Sequence, residues 1–243
     1  MKEATLYTYV SRGLLRSEAI SDAPRQRLYL AEDVQKLAAR KAQRRDPAKV
    51  AREALHWGAP MLESALTLIT ENTLYYRGYD AIQLARAHTF EEVAALLWTG
   101  RLEQAEQLFA TKPLLASRMW PSADAHLPAL QRLQVALALA ATDDLSAYDL
   151  HPDAVAQTGA RILWLMAAVA ASADTFDATI AGTLTQAWRP GAATLLNAAL
   201  ILCADHELNA SSFTARVVAS TEATLYAVVF VGLTALGGFK HGA

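Results

Sequence analysis

The sequence predicts an all-α protein: one helical domain carrying a single small β-hairpin, preceded by a short basic module. Three observations lead there. Of 243 residues, 53% are hydrophobic and only 11 are glycine and 8 proline, a composition that favours packed helices. From residue 81 onward nearly every segment places apolar residues at helical spacing, interrupted at Pro121, Asp143-Asp144, Pro152 and Arg189-Pro190-Gly191. Charge is divided: residues 1–52 carry twelve Lys or Arg against six acids, and the remainder carries ten against eighteen. That asymmetry marks a separate basic module at the N-terminus.

The elements follow in order. Residues 4–16 read as a short helix ended by Gly13 as a left-handed cap. Pro24 to Leu30, with Arg25 and Arg27, reads as a turn and strand, and Ala31-Glu32-Asp33 starts a helix with Val34, Leu37 and Ala38 on one face. The order helix, Gly-Leu-Leu, basic wing, Tyr, Glu-Asp-Val helix resembles part of the winged helix-turn-helix of MerR-type DNA-binding domains. The resemblance begins at about the recognition helix, without the helix that supports it. It makes Arg12, Arg16, Arg25 and Arg27 the candidate phosphate contacts. The charged stretch Arg40 to Lys49, with Pro47, sets the boundary, giving a winged-helix-like segment over 1–45 and the main domain over 46–243. There, residues 65–70 and 73–77 form a hairpin around Glu71-Asn72, and Gly78-Tyr79-Asp80 leads into a helix over 81–87. Thr89-Phe90-Glu91-Glu92 is a capping box, with Val93, Leu96 and Leu97 on one face of the helix it opens.

Several function classes drop away. The single cysteine, Cys203, sits in an apolar run and reads as a buried core thiol of a reducing compartment. The polar N-terminus shows no signal peptide. The apolar runs Ile162 to Ala171 and Tyr226 to Gly238 are shorter than the ~20 residues that span a bilayer, so they read as buried core helices of a cytoplasmic protein. Trp57, Trp98, Trp120, Trp164 and Trp188 read as core, and His56, His88, His126 and His151 show no metal-ligand spacing. No metal or bound cofactor is expected.

Two histidines stand out. Asp205-His206-Glu207-Leu208-Asn209-Ala210-Ser211 is a polar patch inside apolar sequence, and His241 follows His206 by 35 positions across a mostly apolar helical stretch that can hold both imidazoles against one cavity. Tyr76-Arg77-Gly78-Tyr79-Asp80-Ala81-Ile82 followed by Thr89-Phe90-Glu91-Glu92-Val93 is similar to the early signature of citrate synthases. Ala204-Asp205-His206-Glu207-Leu208-Asn209-Ala210-Ser211 resembles that family's Ala-Asp-His-Glu-x-Asn-Ala-Ser motif, and Gly238-Phe239-Lys240-His241-Gly242-Ala243 its Gly-Pro-x-His-Gly-Gly-Ala motif. The three motifs keep the family's order and extend from about residue 61 onward.

The resemblance implies a citrate synthase-type large domain and a condensation of acetyl-CoA, or another acyl-CoA, with oxaloacetate to give citrate or an alkylcitrate, as in the tricarboxylic acid cycle. It implies that His206 donates to an oxaloacetate oxygen and polarises the ketone, with Asn209 and Ser211 orienting ligand or capping the next helix. His241 would donate to the thioester carbonyl and stabilise the enolate. Acetyl-CoA is a substrate here, not a cofactor. In the family the base aspartate, a second catalytic histidine and most substrate arginines lie after the His-Gly-Gly-Ala motif, largely in a smaller closing domain. The large domain is therefore expected to be incomplete, and the chain to work as a homodimer or with a partner chain supplying those groups. A non-catalytic regulator, sensing a metabolite and binding DNA or protein, is the alternative.

Overall fold

The computed structural model describes residue 10 and residues 16–20, 23–34, 64–113, 126–188, 191–206 and 209–241. The chain divides into two units, Met1–Trp57 and Gly58–Ala243. In the first, strands β1 (Ser17–Ile20) and β2 (Ala23–Tyr29) pair antiparallel, with a bulge at Ala19/Ile20. Residues 31–34 then turn into a helix, as the Glu-Asp-Val pattern indicates. The expected helix over 4–16 falls outside the described residues except for Val10, which is helical, and Arg16, which leads into β1. Asp33 is buried and clasps Arg16: the guanidinium donates Nε to Oδ2 at 2.9 Å and Nη2 to Oδ1 at 3.0 Å. The backbone N–H of Arg16 reaches the same carboxylate at 3.0 Å. This candidate phosphate contact is thus engaged by an intramolecular fork.

The second unit opens with β3 (Thr67–Ile69) and β4 (Leu74–Tyr76), whose Ile69↔Leu74 register puts Glu71 and Asn72 at the tip. Thr70 closes this turn, its backbone N–H donating to Thr73 O at 2.9 Å. The sequence missed a third strand, β5 (Tyr79–Asp80), which pairs with β4 through Tyr76↔Tyr79. Its two-residue turn has positive φ at both positions, Arg77 at 46° and Gly78 at 92°. That is the geometry of tight primed turns, and glycine suits it where arginine does not. Arg77 is held there by donating Nε and Nη2 to Leu97 O at 2.9 and 2.8 Å, which serves a carbonyl near the end of α2.

Asp80 caps α1 (Ala81–Ala87), accepting from Ile82 N and Gln83 N. The expected capping box opens α2 (Phe90–Thr99): Thr89 Oγ1 accepts from Glu92 N at 3.2 Å and Glu92 Oε2 from Thr89 N at 2.7 Å. Then come α3 (Ala105–Phe109), α4 (Ala129–Asp143), α5 (Pro152–Ala171), α6 (Ile180–Trp188), α7 (Ala193–Leu202), α8 (Ala210–Ala219) and α9 (Leu225–Leu236). The breaks at Asp143-Asp144, Pro152 and Gly191 fall at helix ends, with Pro152 in the first turn of α5, where its missing N–H costs nothing.

Helix α5 is the axis of the unit. Ala156, Ala160, Trp164 and Ala167 face a core shared with α1, α2, α3 and α6, while Ile162, Leu165 and Val169 face a second core with α4 and α9. A helix apolar all round has to be covered on both sides. This explains why the Ile162–Ala171 run is core. The helix reaches back to Pro152 and so is long and apolar enough to cross a membrane by length and composition, yet 61% of its most apolar window is buried within the protein. Gly159 lets α2 approach, since a Cβ there would sit 3.1 Å from the Trp98 ring.

Three expectations need correction. The Tyr226–Gly238 run is helical, but only Tyr226 and Leu233 are buried, seven residues apart on one face; the rest is half-buried or exposed. Cys203 is exposed, because α7 buries only Ile201 and position 203 points the other way round the helix end. Trp98 is 39% exposed, although its ring stacks on Phe109 at 5.9 Å. Trp164 is buried as expected, whereas Trp57, Trp120 and the Trp188 side chain lie outside the described residues.

Candidate active site

The polar patch becomes the link between α7 and α8. Asp205 and His206 follow the end of α7, His206 exposed and Asp205 half-buried. Asn209 is the N-cap of α8: its Oδ1 accepts from Ser212 N at 3.0 Å. Of the two roles open to Asn209, the structure realises capping. Ser211 lies in the first turn of α8, and α8 packs along α9. Gly237 and Gly238 end α9 in a turn, closed where His241 N donates to Gly238 O at 2.8 Å. That turn brings His241 back to α8, with its Nε2 2.5 Å from Ser211 Oγ. The structure thus joins His241 to Ser211, 30 residues apart, through the antiparallel α8–α9 pair.

Sequence reasoning missed the groups behind His206. Tyr76 on β4 is fully buried, and its hydroxyl donates toward Ile201 O at 2.9 Å and Leu202 O at 3.2 Å. The same oxygen accepts from Asp205 N at 3.4 Å. Burial, with the Asp205 carboxylate adding to it, pushes the Tyr76 hydroxyl above its ordinary pKa and keeps it protonated. Thr67 Oγ1 on β3 donates to Asp205 Oδ2. The hidden signal was the polar Thr67 and the aromatic Tyr76 on the inward face of the hairpin. Asn197, midway along α7, accepts from Phe90 N at 2.8 Å and donates to His88 O at 2.9 Å, tying α7 to the start of α2.

A cavity of about 270 Å³ lies beside the hairpin, lined by residues including Ser64, Thr67, Arg77 and Gly78 but by neither histidine. The cavity expected between the two imidazoles is therefore not this one. Among the described residues no three His, Cys, Asp or Glu side chains gather as a metal site. Arg25 and Arg27 lie two apart on β2, Arg16 pairs with Asp33, and Arg12 lies outside the described residues.

The helical unit is matched by known proteins. Residues 54–243 match the family model of the citrate synthase C-terminal domain. Citrate synthase 2 of Bacillus subtilis is 30% identical over 216 aligned positions, covering 76% of this chain and 57% of that protein. A 2-methylcitrate synthase of Shewanella oneidensis is 33% identical over 220 positions, covering 74% and 55%. Among solved structures, citrate synthase from Thermotoga maritima superposes with a TM-score of 0.56 at 25% identity, over 76% of this chain and 56% of that one. The enzyme from Pyrobaculum aerophilum, at 24% identity and a TM-score of 0.58, shares the fold. The chain belongs to the citrate synthase family. It spans little more than half the length of these relatives.

Proposed function

We propose that the Gly58–Ala243 unit supplies the two histidine-bearing loops of an enzyme that condenses acetyl-CoA, or a close acyl-CoA, with oxaloacetate. The observation that carries this reading is the Ser211 Oγ–His241 Nε2 contact at 2.5 Å. When the hydroxyl donates to Nε2, the imidazole proton sits on Nδ1, and the ring is a neutral donor with a fixed direction. A thioester enolate needs such a donor as its methyl proton leaves. His206, exposed on the α7–α8 link, donates to oxaloacetate and polarises the ketone that the enolate attacks. The new C–C bond gives citryl-CoA, and water releases citrate, or an alkylcitrate, with CoA. Both citrate and 2-methylcitrate synthases are among the relatives, which supports the reaction type with either acyl length.

The base that takes the methyl proton and the arginines that clamp two carboxylates come, in this proposal, from residues outside 1–243, whether of this polypeptide or of another. Neither Asp205, bonded to Thr67, nor Glu91, whose Oε1 accepts from Ile180 N at 2.6 Å, is placed as that base. The half-buried α9 supports assembly as a dimer or with such a partner. The basic N-terminal unit is proposed as a MerR-like wing in which Arg25 and Arg27 of β2 meet phosphates. Calorimetric titration of oxaloacetate into the chain mixed with a polypeptide carrying the remaining part of a citrate synthase tests the site. Affinity should fall at least ~10-fold in His206→Ala, the scale of losing a good hydrogen bond from a bound anion. Equal affinity in wild type and His206→Ala, or none in either, would refute the assignment.

A further inference from the structure

The last carbonyls of a helix have no intrahelical donor, and a buried one left without a partner is costly. Helix α7 ends immediately before the loop that carries His206, so the way its end is satisfied determines how that loop departs. Water could have capped it and left the loop loose. Ile201 O accepts from Ala204 N at 3.1 Å, and the end of α7 is also met from the hairpin. The Tyr76 hydroxyl is shared between Ile201 O at 2.9 Å and Leu202 O at 3.2 Å, and takes Asp205 N at 3.4 Å. From the neighbouring strand, Thr67 Oγ1 donates to the Asp205 carboxylate. Both groups are sheltered: Tyr76 is 0% and Thr67 6% exposed. Strand pairing fixes their spacing, since Thr67 is the direct partner of Tyr76 in the β3–β4 register.

We propose that Tyr76 and Thr67 are positioning residues for His206. Resting on the functional reading given above, this assigns them the task of aiming the imidazole at oxaloacetate. The hairpin grips the backbone on either side of Cys203 and Ala204 and then the side chain of Asp205, so His206 leaves an anchored residue. Downstream, Asn209 anchors the first turn of α8. The histidine is therefore held from both sides while its own side chain stays exposed. Neither hydroxyl is required to fill space: phenylalanine would occupy the Tyr76 site and valine the Thr67 site. Displacements of about 1 Å at a catalytic group can cost on the order of 10²-fold in rate, so such bracing has a direct functional return.

The experiment uses the full chain with Tyr76→Phe, Thr67→Val and the conservative Thr67→Ser. Two quantities are read: amide hydrogen exchange over residues 202–206 in the chain, and oxaloacetate affinity by calorimetry in the mixture with the remaining part of a citrate synthase. Tyr76→Phe and Thr67→Val are expected to speed exchange at 202–206 by at least ~10-fold without speeding it in α5, and to weaken oxaloacetate binding by a similar factor. Thr67→Ser should return both values to within ~3-fold of wild type. Unchanged exchange at 202–206 in Tyr76→Phe and Thr67→Val would overturn the brace. Faster exchange with unchanged oxaloacetate affinity would also overturn the positioning role, leaving a purely structural contact. If Tyr76→Phe loses its fold, the Thr67 pair decides, since Ser keeps the hydroxyl of Thr67 and Val replaces it with a methyl. Failure of the wild-type mixture to bind oxaloacetate strikes the functional reading alone, and the exchange data still judge the brace.

Discussion

A polar network beside the second core sets a stability prediction. Asp144, after α4, receives Arg161 Nε at 2.9 Å, Tyr226 Oη at 3.0 Å and the Ser146 hydroxyl. Arg161 also donates to Ser146 Oγ at 2.6 Å and Thr158 Oγ1 at 2.8 Å. The charged side chains are 15% and 17% exposed, so the pair joining α4, α5 and α9 is mostly desolvated. Asp144→Ala leaves the guanidinium without its counter-charge, bonded only to the Ser146 and Thr158 hydroxyls, and leaves the Tyr226 hydroxyl without its acceptor. Breaking a buried pair costs ~3–5 kcal/mol and an orphaned hydroxyl ~1. Residual exposure places the expected loss near ~3–4 kcal/mol, about 6–16 °C in Tm for a unit of this size. Asp144→Ala/Arg161→Met, which removes both charges, should recover at least half of it.

Urea unfolding followed by circular dichroism measures these values. A loss under ~1 kcal/mol for Asp144→Ala, or a double variant no better than the single, would refute the reasoning. The pH dependence is a second check. Burial alone would raise the Asp144 pKa, but the bonds from Ser146, Arg161 and Tyr226 outweigh it and hold the carboxyl below its ordinary 3.8. The contribution is therefore complete above pH ~4 and is lost as pH falls through the lower folded value. Burial, then the Asp144 charge, pushes Tyr226 up to about 12, so its share is complete below pH ~10 and is lost as pH rises through 12. The penalty of Asp144→Ala should accordingly be flat from pH 5 to 9, within about 0.5 kcal/mol.

Three further outcomes follow from the same geometry. Asn197→Ala leaves Phe90 N and His88 O without their partner and should cost ~1–3 kcal/mol by the same urea assay, while Asn197→Asp, which keeps only the acceptor, should cost less. Asn209→Ala removes the α8 cap and should lower stability by ~1 kcal/mol while raising amide exchange in the first turn of α8; unchanged exchange there would show the cap to be idle. Cys203, exposed at the end of α7, should react with a thiol reagent in the native protein at a rate within ~10-fold of that in denaturant, whereas a thiol silent until unfolding would contradict its placement.

What the sequence revealed depended on how local each signal was. The Thr89–Glu92 box, the breaks at Asp143-Asp144 and Pro152, and the hairpin tip at Glu71-Asn72 are written within a few residues, and each lies where the pattern puts it. Family motifs marked the segments around His206 and His241 because their residue types recur in order. Properties set by distant packing were hidden. Cys203 sits in an apolar run, but its exposure depends on which side of α7 meets α2. The Arg77-Gly78 turn lacks the Asn-Gly or Asp-Gly pair that normally announces positive φ twice, and a carbonyl twenty residues away holds the arginine there. The Tyr76 and Thr67 bonds to the His206 loop span more than 120 residues, beyond the reach of any periodicity.

The most direct measurement is CoA thiol release from acetyl-CoA and oxaloacetate by the purified chain, alone and mixed with a polypeptide carrying the remaining part of a citrate synthase. Almost no release is expected from residues 1–243 alone, because positioned base catalysis is worth ~10²–10⁴-fold and each oxyanion donor ~10²–10³-fold. Turnover is expected on mixing, reduced ~10²–10³-fold by His241→Ala. Robust turnover by residues 1–243 alone, or turnover on mixing that is indifferent to His241→Ala, would overturn the assignment of His241 and of the groups supplied from elsewhere.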